Sequence, residues 1–92
     1  MNTSELGTRR SQTLERIEQV VRNLLNDDDI SLADDTRPGD VLGWDSLANV
    51  NIVFAIEEEF GIRFGDADLA GFDTVGELAR RVDSAIARQA AA

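Results

Sequence analysis

The stretch GWDSLANVNIVFAIEEEFG, residues 43–61, decides how this chain folds. Asp45 and Ser46 are residue types that open helices, because their short side chains accept hydrogen bonds from backbone N–H groups the first turn leaves unpaired. Gly61 is a natural stop, since glycine takes the left-handed conformation at a helix end without steric cost. One helix is therefore predicted between them. At 100° per residue, Ile52, Val53, Ile56 and Phe60 share one broad face suited to packing against other helices. Leu47, Val50 and Phe54 fall on a second stripe, roughly 60° wide, flanked by Asn51, Glu57 and Glu58. A central helix buried on two sides would show this pattern. So would a helix that offers an apolar strip with a charged rim to a partner.

Upstream, Leu14, Ile17, Val20, Val21, Leu24 and Leu25 recur at three- and four-residue spacing, predicting a helix over 13–26 with Ser11 or Thr13 as its cap. The connection over 27–44 is too long to stay structureless in a compact domain. Ile30, Leu32, Val41, Leu42 and Trp44 are its candidate pins. Its aspartates do not make an EF-hand. Counting from Asp27, the sixth and twelfth positions hold Leu32 and Pro38, and from Asp29 they hold Asp34 and Asp40, where glycine and glutamate are needed.

Downstream, Ile62, Phe64, Leu69 and Phe72 leave room for one short helix near 66–70. Thr74 and Glu77 have capping-box spacing ahead of a last helix carrying Val75, Leu78, Val82, Ala85 and Ile86. The expectation is an all-α four-helix bundle of three longer helices and one short one, with a long first loop. Residues 1–10 read as a disordered lead, 11–89 as the domain and 90–92 as a frayed end.

The chain carries a net charge of −9 and contains no Cys and no His. Lys and Tyr are also absent, which removes the usual general bases, thiol nucleophiles and Schiff-base amines. Disulfides and thiolate zinc sites are excluded with them. Carboxylate catalysis by Glu57 and Glu58 fails on geometry, because adjacent residues on a helix do not converge. Over 27–77, 14 acids stand against Arg37 and Arg63. Such a middle repels phosphate backbones, disfavours nucleic acid and suits basic partners, although acids also serve solubility. No apolar run is long enough to span a bilayer and no signal peptide is visible, so the expectation is a cytoplasmic monomer without membrane insertion.

Asp45-Ser46 ahead of an apolar run is ordinarily an N-cap and nothing more. Without a base, the Ser46 hydroxyl is no nucleophile, yet a phosphate ester placed there would meet the positive end of the helix. GWDSL followed by VNIVFAIEEEFGI resembles the acyl carrier proteins over residues 12–88 or so, joined to a first helix and loop of suitable length and a later helix opened by Thr74-Val75.

This resemblance implies an acyl-carrier fold and a free-standing carrier, not an enzyme. It implies that Ser46 receives 4'-phosphopantetheine from coenzyme A, with Asp45 and Leu47 completing the motif. Leu47, Val50, Asn51, Phe54, Glu57 and Glu58 would face partners: a phosphopantetheinyl transferase, an acyl- or aminoacyl-loading ligase or acyltransferase, and downstream synthase or tailoring enzymes. The cargo would ride as an acyl or aminoacyl thioester. Many fatty-acid carriers have acids where this chain has Ala48 and Asn51, which points to a specialised pathway such as polyketide or nonribosomal peptide synthesis. The alternative is an unmodified carrier-like adaptor that binds through the same helix. It leaves the intact Asp45-Ser46-Leu47 without a purpose.

Overall fold

The computed structural model describes residues 11–64 and 72–91, which form three α-helices joined by a long first loop. Helix α1 spans Gln12–Leu25, α2 spans Ser46–Phe60 and α3 spans Val75–Ala91. The short helix expected near 66–70 and the lead over 1–10 lie outside the described residues.

Each helix end follows from its sequence. Of the two candidate caps for α1, Ser11 fills the role, its Oγ accepting the Leu14 N–H at 3.0 Å. Thr13 instead donates its hydroxyl to the Asp83 carboxylate of α3. Asn26 ends α1 in the left-handed conformation, φ 53°, which asparagine tolerates better than most residues. Asp45 caps α2 and Gly61 stops it at φ 67°. At α3 the Glu77 N–H donates to Thr74 Oγ1 at 3.2 Å, while the Glu77 carboxylate accepts the Asp73 N–H at 2.6 Å. The reciprocal pair therefore reaches one residue further back than a standard capping box. Helix α3 continues to Ala91, past residue 89.

Helix α1 packs against both others. Leu14, Ile17 and Val21 of α1, Ile52 and Ile56 of α2, and Val75, Leu78 and Val82 of α3 are all at most 2% exposed. Burial of each such side chain contributes about 1.5–3 kcal/mol before the entropy of ordering is counted. Helices α1 and α2 run antiparallel. At one end the Arg16 guanidinium binds the Glu59 carboxylate at 2.9 Å and lies 4.3 Å from the Phe60 ring centroid. At the other end, Gly43 lies beside Leu25.

The loop is held from both sides. Glu18, buried in α1, accepts the Leu32 N–H at 2.8 Å, and Arg22 donates from Nε to the Ile30 carbonyl at 2.7 Å. From the other side, the first N–H groups of α3, which have no acceptor within their own helix, donate into the loop. Val75 N–H reaches the Thr36 carbonyl at 2.8 Å and Gly76 N–H reaches the Asp34 carbonyl at 2.9 Å. Ile30, Leu32 and Trp44 are buried, and Val41 packs partly against the core, as expected. Leu42 is not a pin: it is 90% exposed. The Trp44 N–H closes a four-residue turn on the Val41 carbonyl at 3.0 Å, with Leu42 and Gly43 at its tip. Gly43 takes φ 94°, as the third position of such a turn requires, and the tip faces solvent.

Two predictions test this scaffold. A Cβ on Gly76 would lie 2.7 Å from the Asp34 carbonyl oxygen, closer than a Cβ atom approaches its neighbours. Alanine favours helix over glycine by up to about 1 kcal/mol, but overpacking costs about 1–3 kcal/mol. Gly76→Ala is therefore expected to lower the urea midpoint. A raised midpoint would show that the loop moves freely off α3.

The second concerns Glu77. The Asp73 N–H above all holds its carboxyl below the usual glutamate range, against the opposing effect of desolvation and with lesser help from the Thr74 backbone, Arg81 and Arg80. A folded pKa below the unfolded one gives stability that is fully present above the unfolded value and lost as pH falls through the folded value. Wild type should therefore exceed Glu77→Gln in thermal midpoint at pH 7, and the gap should narrow progressively as pH falls below the unfolded glutamate value of about 4.3. A gap independent of pH would remove the carboxylate from the cap.

Candidate functional site

A run of turns delivers the chain to α2. Asp40 N–H donates to the Arg37 carbonyl, Val41 N–H to Pro38 and Trp44 N–H to Val41, at 2.9–3.0 Å. Pro38 sits at the start of this run, in the short 3-10 turn Pro38–Asp40, where its fixed φ is an advantage. Trp44 follows, 6% exposed and anchored in the core. The next residue, Asp45, is extended and caps α2, its Oδ1 accepting the Ala48 N–H at 2.8 Å.

Ser46 is thus the first helical residue of α2, and it is exposed. It caps nothing, because Asp45 does that. Four other hydroxyls have structural duties: those of Ser11, Thr36 and Thr74 accept backbone N–H groups, and that of Thr13 binds Asp83. The Ser46 hydroxyl sits in the first turn of α2, where N–H groups lack intrahelical acceptors and the helix dipole presents its positive end. A phosphodiester on this oxygen fits the site: it would meet donors and favourable charge, and it would be open to an approaching enzyme. An open groove beside it is lined by Pro38, Trp44, Asp45, Ser46 and Asn49.

The two faces of α2 separate as the periodicity predicts. Ile52, Val53 and Ile56 are buried, and Phe60 is partly buried against the core. Leu47, Val50 and Phe54 are 73%, 49% and 59% exposed, so the helix is not buried on two sides among the described residues. Asn51 and Glu58 are exposed beside this strip. Glu57 is half-buried and differs from Glu58, since its Oε2 accepts the Phe64 N–H at 2.8 Å and braces the chain leaving α2. Ala48 is also half-buried, packed against the core.

Two features escape a pattern reading. Leu42 adds an exposed apolar side chain on the approach to Ser46. The Trp44 indole Nε1–H donates to Asn49 Oδ1 at 2.9 Å, joining the approach to the first turns of α2. The available signal was chemical rather than periodic, because a buried tryptophan requires an acceptor for its N–H.

Comparison with known proteins places this geometry. The family model described as the phosphopantetheine attachment site matches residues 15–82. The acyl carrier protein of Thermotoga maritima is 30% identical over 74 residues, spanning 80% of this chain and 91% of that protein. The acyl carrier protein of Saccharopolyspora erythraea is 35% identical over 83 residues, spanning 90% and 87%. The solution structure of holo acyl carrier protein from Geobacter metallireducens shares the fold at a TM-score of 0.80 and 32% identity, over 88% of this chain and 93% of that one.

Exposure of the second stripe makes a direct prediction. Phe54→Ala should change unfolding free energy by no more than about 0.5 kcal/mol, as for other surface positions. Ile56→Ala, two residues on and fully buried, should cost about 2–5 kcal/mol. Chemical denaturation of both variants checks this, and equal losses would return Phe54 to the core.

Proposed function

The chain belongs to the acyl carrier protein family, and from that premise we propose that Ser46 bears its 4'-phosphopantetheine and that α2 presents it to the enzymes of a specialised biosynthetic pathway. Members of this family carry the group covalently and are carriers rather than enzymes, which agrees with a chain lacking His, Cys, Lys and Tyr. The arm supplies a thiol on a long flexible tether, on which an acyl or aminoacyl group is held as a thioester.

The carrying observation is the position of Ser46: exposed at the first residue of α2, relieved of capping by Asp45, inside the span that the family model matches. Asp45 fixes the turn from which the hydroxyl projects. Leu47, Val50 and Phe54 continue from it as an apolar strip down one side of α2, where an enzyme reaching the arm would also touch them. Acyl carriers generally work with transferases and synthase enzymes. Here the phosphopantetheinyl transferase, a loading ligase or acyltransferase and the later enzymes are read as docking on this strip.

Magnitudes favour apolar docking. Burying an aromatic or leucine anchor contributes about 1.5–3 kcal/mol, whereas an exposed ion pair contributes about 0–1 kcal/mol. With Ala48 and Asn51 neutral and Glu57 braced to Phe64, charge on this helix is thinned while the apolar strip is complete. That balance supports a dedicated pathway over bulk fatty-acid synthesis.

Intact mass after incubation with a phosphopantetheinyl transferase and coenzyme A tests the attachment. Wild type should gain one arm and Ser46→Ala none; an arm on Ser46→Ala would overturn the assignment. The pathway reading is tested by Asn51→Glu, which should raise the rate with fatty-acid synthesis enzymes. A wild type already as fast with those enzymes as a fatty-acid carrier would argue against specialisation.

A further inference from the structure

The hydrogen bond from Trp44 to Asn49 fixes more than a loop. An indole N–H can only donate, so the Asn49 atom it meets at 2.9 Å is the oxygen. The orientation of the Asn49 amide follows, and Nδ2 with its two N–H donors is turned away from the indole. Trp44 is buried, so the core holds the anchor of this arrangement in place.

Asn49 stands three residues after Ser46, one turn along the same side of α2. Helical side chains lean toward the N-terminus and cover the turn before their own Cα, which for Asn49 is the turn that carries Ser46. Asn49 and Ser46 line the same open groove, with Pro38, Trp44 and Asp45. A phosphodiester on Ser46 Oγ would bring a negative charge beside the Asp45 carboxylate, whose Oδ1 is already engaged with the Ala48 N–H. An oriented donor at that spot offsets the repulsion, and hydrogen bonds to ionised acceptors are the stronger kind.

We infer that Asn49 is a binding residue for the group carried on Ser46, its Nδ2 donating to a phosphodiester oxygen, with Trp44 as the positioning residue that aims the amide. The inference rests on Ser46 being the attachment site. It restrains the root of the arm while leaving the remainder free to swing.

The test uses the full chain in its unloaded and loaded forms. Intact mass first reports loading of wild type and of Asn49→Asp. That variant keeps an acceptor for Trp44 and replaces the donor with an anion. NMR then follows the Asn49 side-chain amide and the phosphorus signal. On loading, one Asn49 amide proton of wild type is expected to move downfield, and the phosphorus signal should differ between loaded wild type and loaded Asn49→Asp. Fluorescence of Trp44, the sole tryptophan, should stay close to wild type in unloaded Asn49→Asp, which separates loss of the donor from loss of the fold. Fully loaded wild type with unmoved Asn49 amide signals would overturn the inference and leave the attachment at Ser46 intact. The same wild-type comparison decides if Asn49→Asp resists loading. A wild type that gains no mass removes the attachment site itself, and the role of Asn49 with it.

Discussion

Everything near Ser46 depends on a buried carboxylate in α1. Glu18 is 6% exposed and takes the Leu32 N–H, while Arg22, one turn on, lies 3.4 Å from Glu18 and donates to the Ile30 carbonyl. An i, i+4 acid–base pair thus captures a donor and an acceptor of the loop backbone at once. Burying a charge is tolerable only when it is paired and hydrogen-bonded, and removing one partner of such an arrangement costs about 3–5 kcal/mol. The pair gains little over an apolar substitute. What it supplies is direction, because no apolar contact would select one path for the backbone between Ile30 and Leu32.

From that clamp the remaining geometry follows in sequence. The loop passes under the N-terminus of α3, where Val75 and Gly76 donate to Thr36 and Asp34, and only a glycine at 76 permits the approach. It then enters the turns over 37–44, sinks Trp44 into the core and emerges at Asp45. Ser46 is placed by α1 and α3 through the loop, more than by its own helix. A long loop that would otherwise be costly to order is held at both sides, which is how a domain of this size can hold Ser46 in place and exposed together.

Much of this was legible in the sequence, and the division has a physical basis. Helix ends were, because Ser11, Asp45, Gly61 and Thr74 act through local hydrogen bonds and backbone freedom that neighbours determine. The two faces of α2 were also legible as a pattern, since periodicity reports which residues share a side. Whether the second face met solvent was a tertiary matter, and the pattern left both answers open. Leu42 was misjudged because hydrophobicity argued for burial, while the turn that Gly43 permits put it at the tip. Nothing in the sequence sets Glu18 apart from the other acids. Its burial depends on Leu32 N–H, 14 residues away, and nothing in the helical pattern of α1 announces that partner. The braced carboxylate of Glu57 was hidden for the same reason, its partner lying beyond the helix end.

An exposed apolar strip is a hazard for a small protein, and the charge distribution addresses it. Acids are concentrated in the sequence over 27–77, with Glu57 and Glu58 beside Phe54, on a chain of net charge −9, so two copies meeting strip to strip also bring like charges together. Repulsion between copies and the expected attraction toward basic partners would come from the same acids. Their long-range part is screened beyond about 8 Å at physiological salt, so they govern approach more than final affinity. In the proposed docking the apolar strip would supply the contact energy, which depends on shape at close range. In the docking proposed for α2, charge would steer approach and keep copies of the chain apart, while Leu47, Val50 and Phe54 would decide which partner stays.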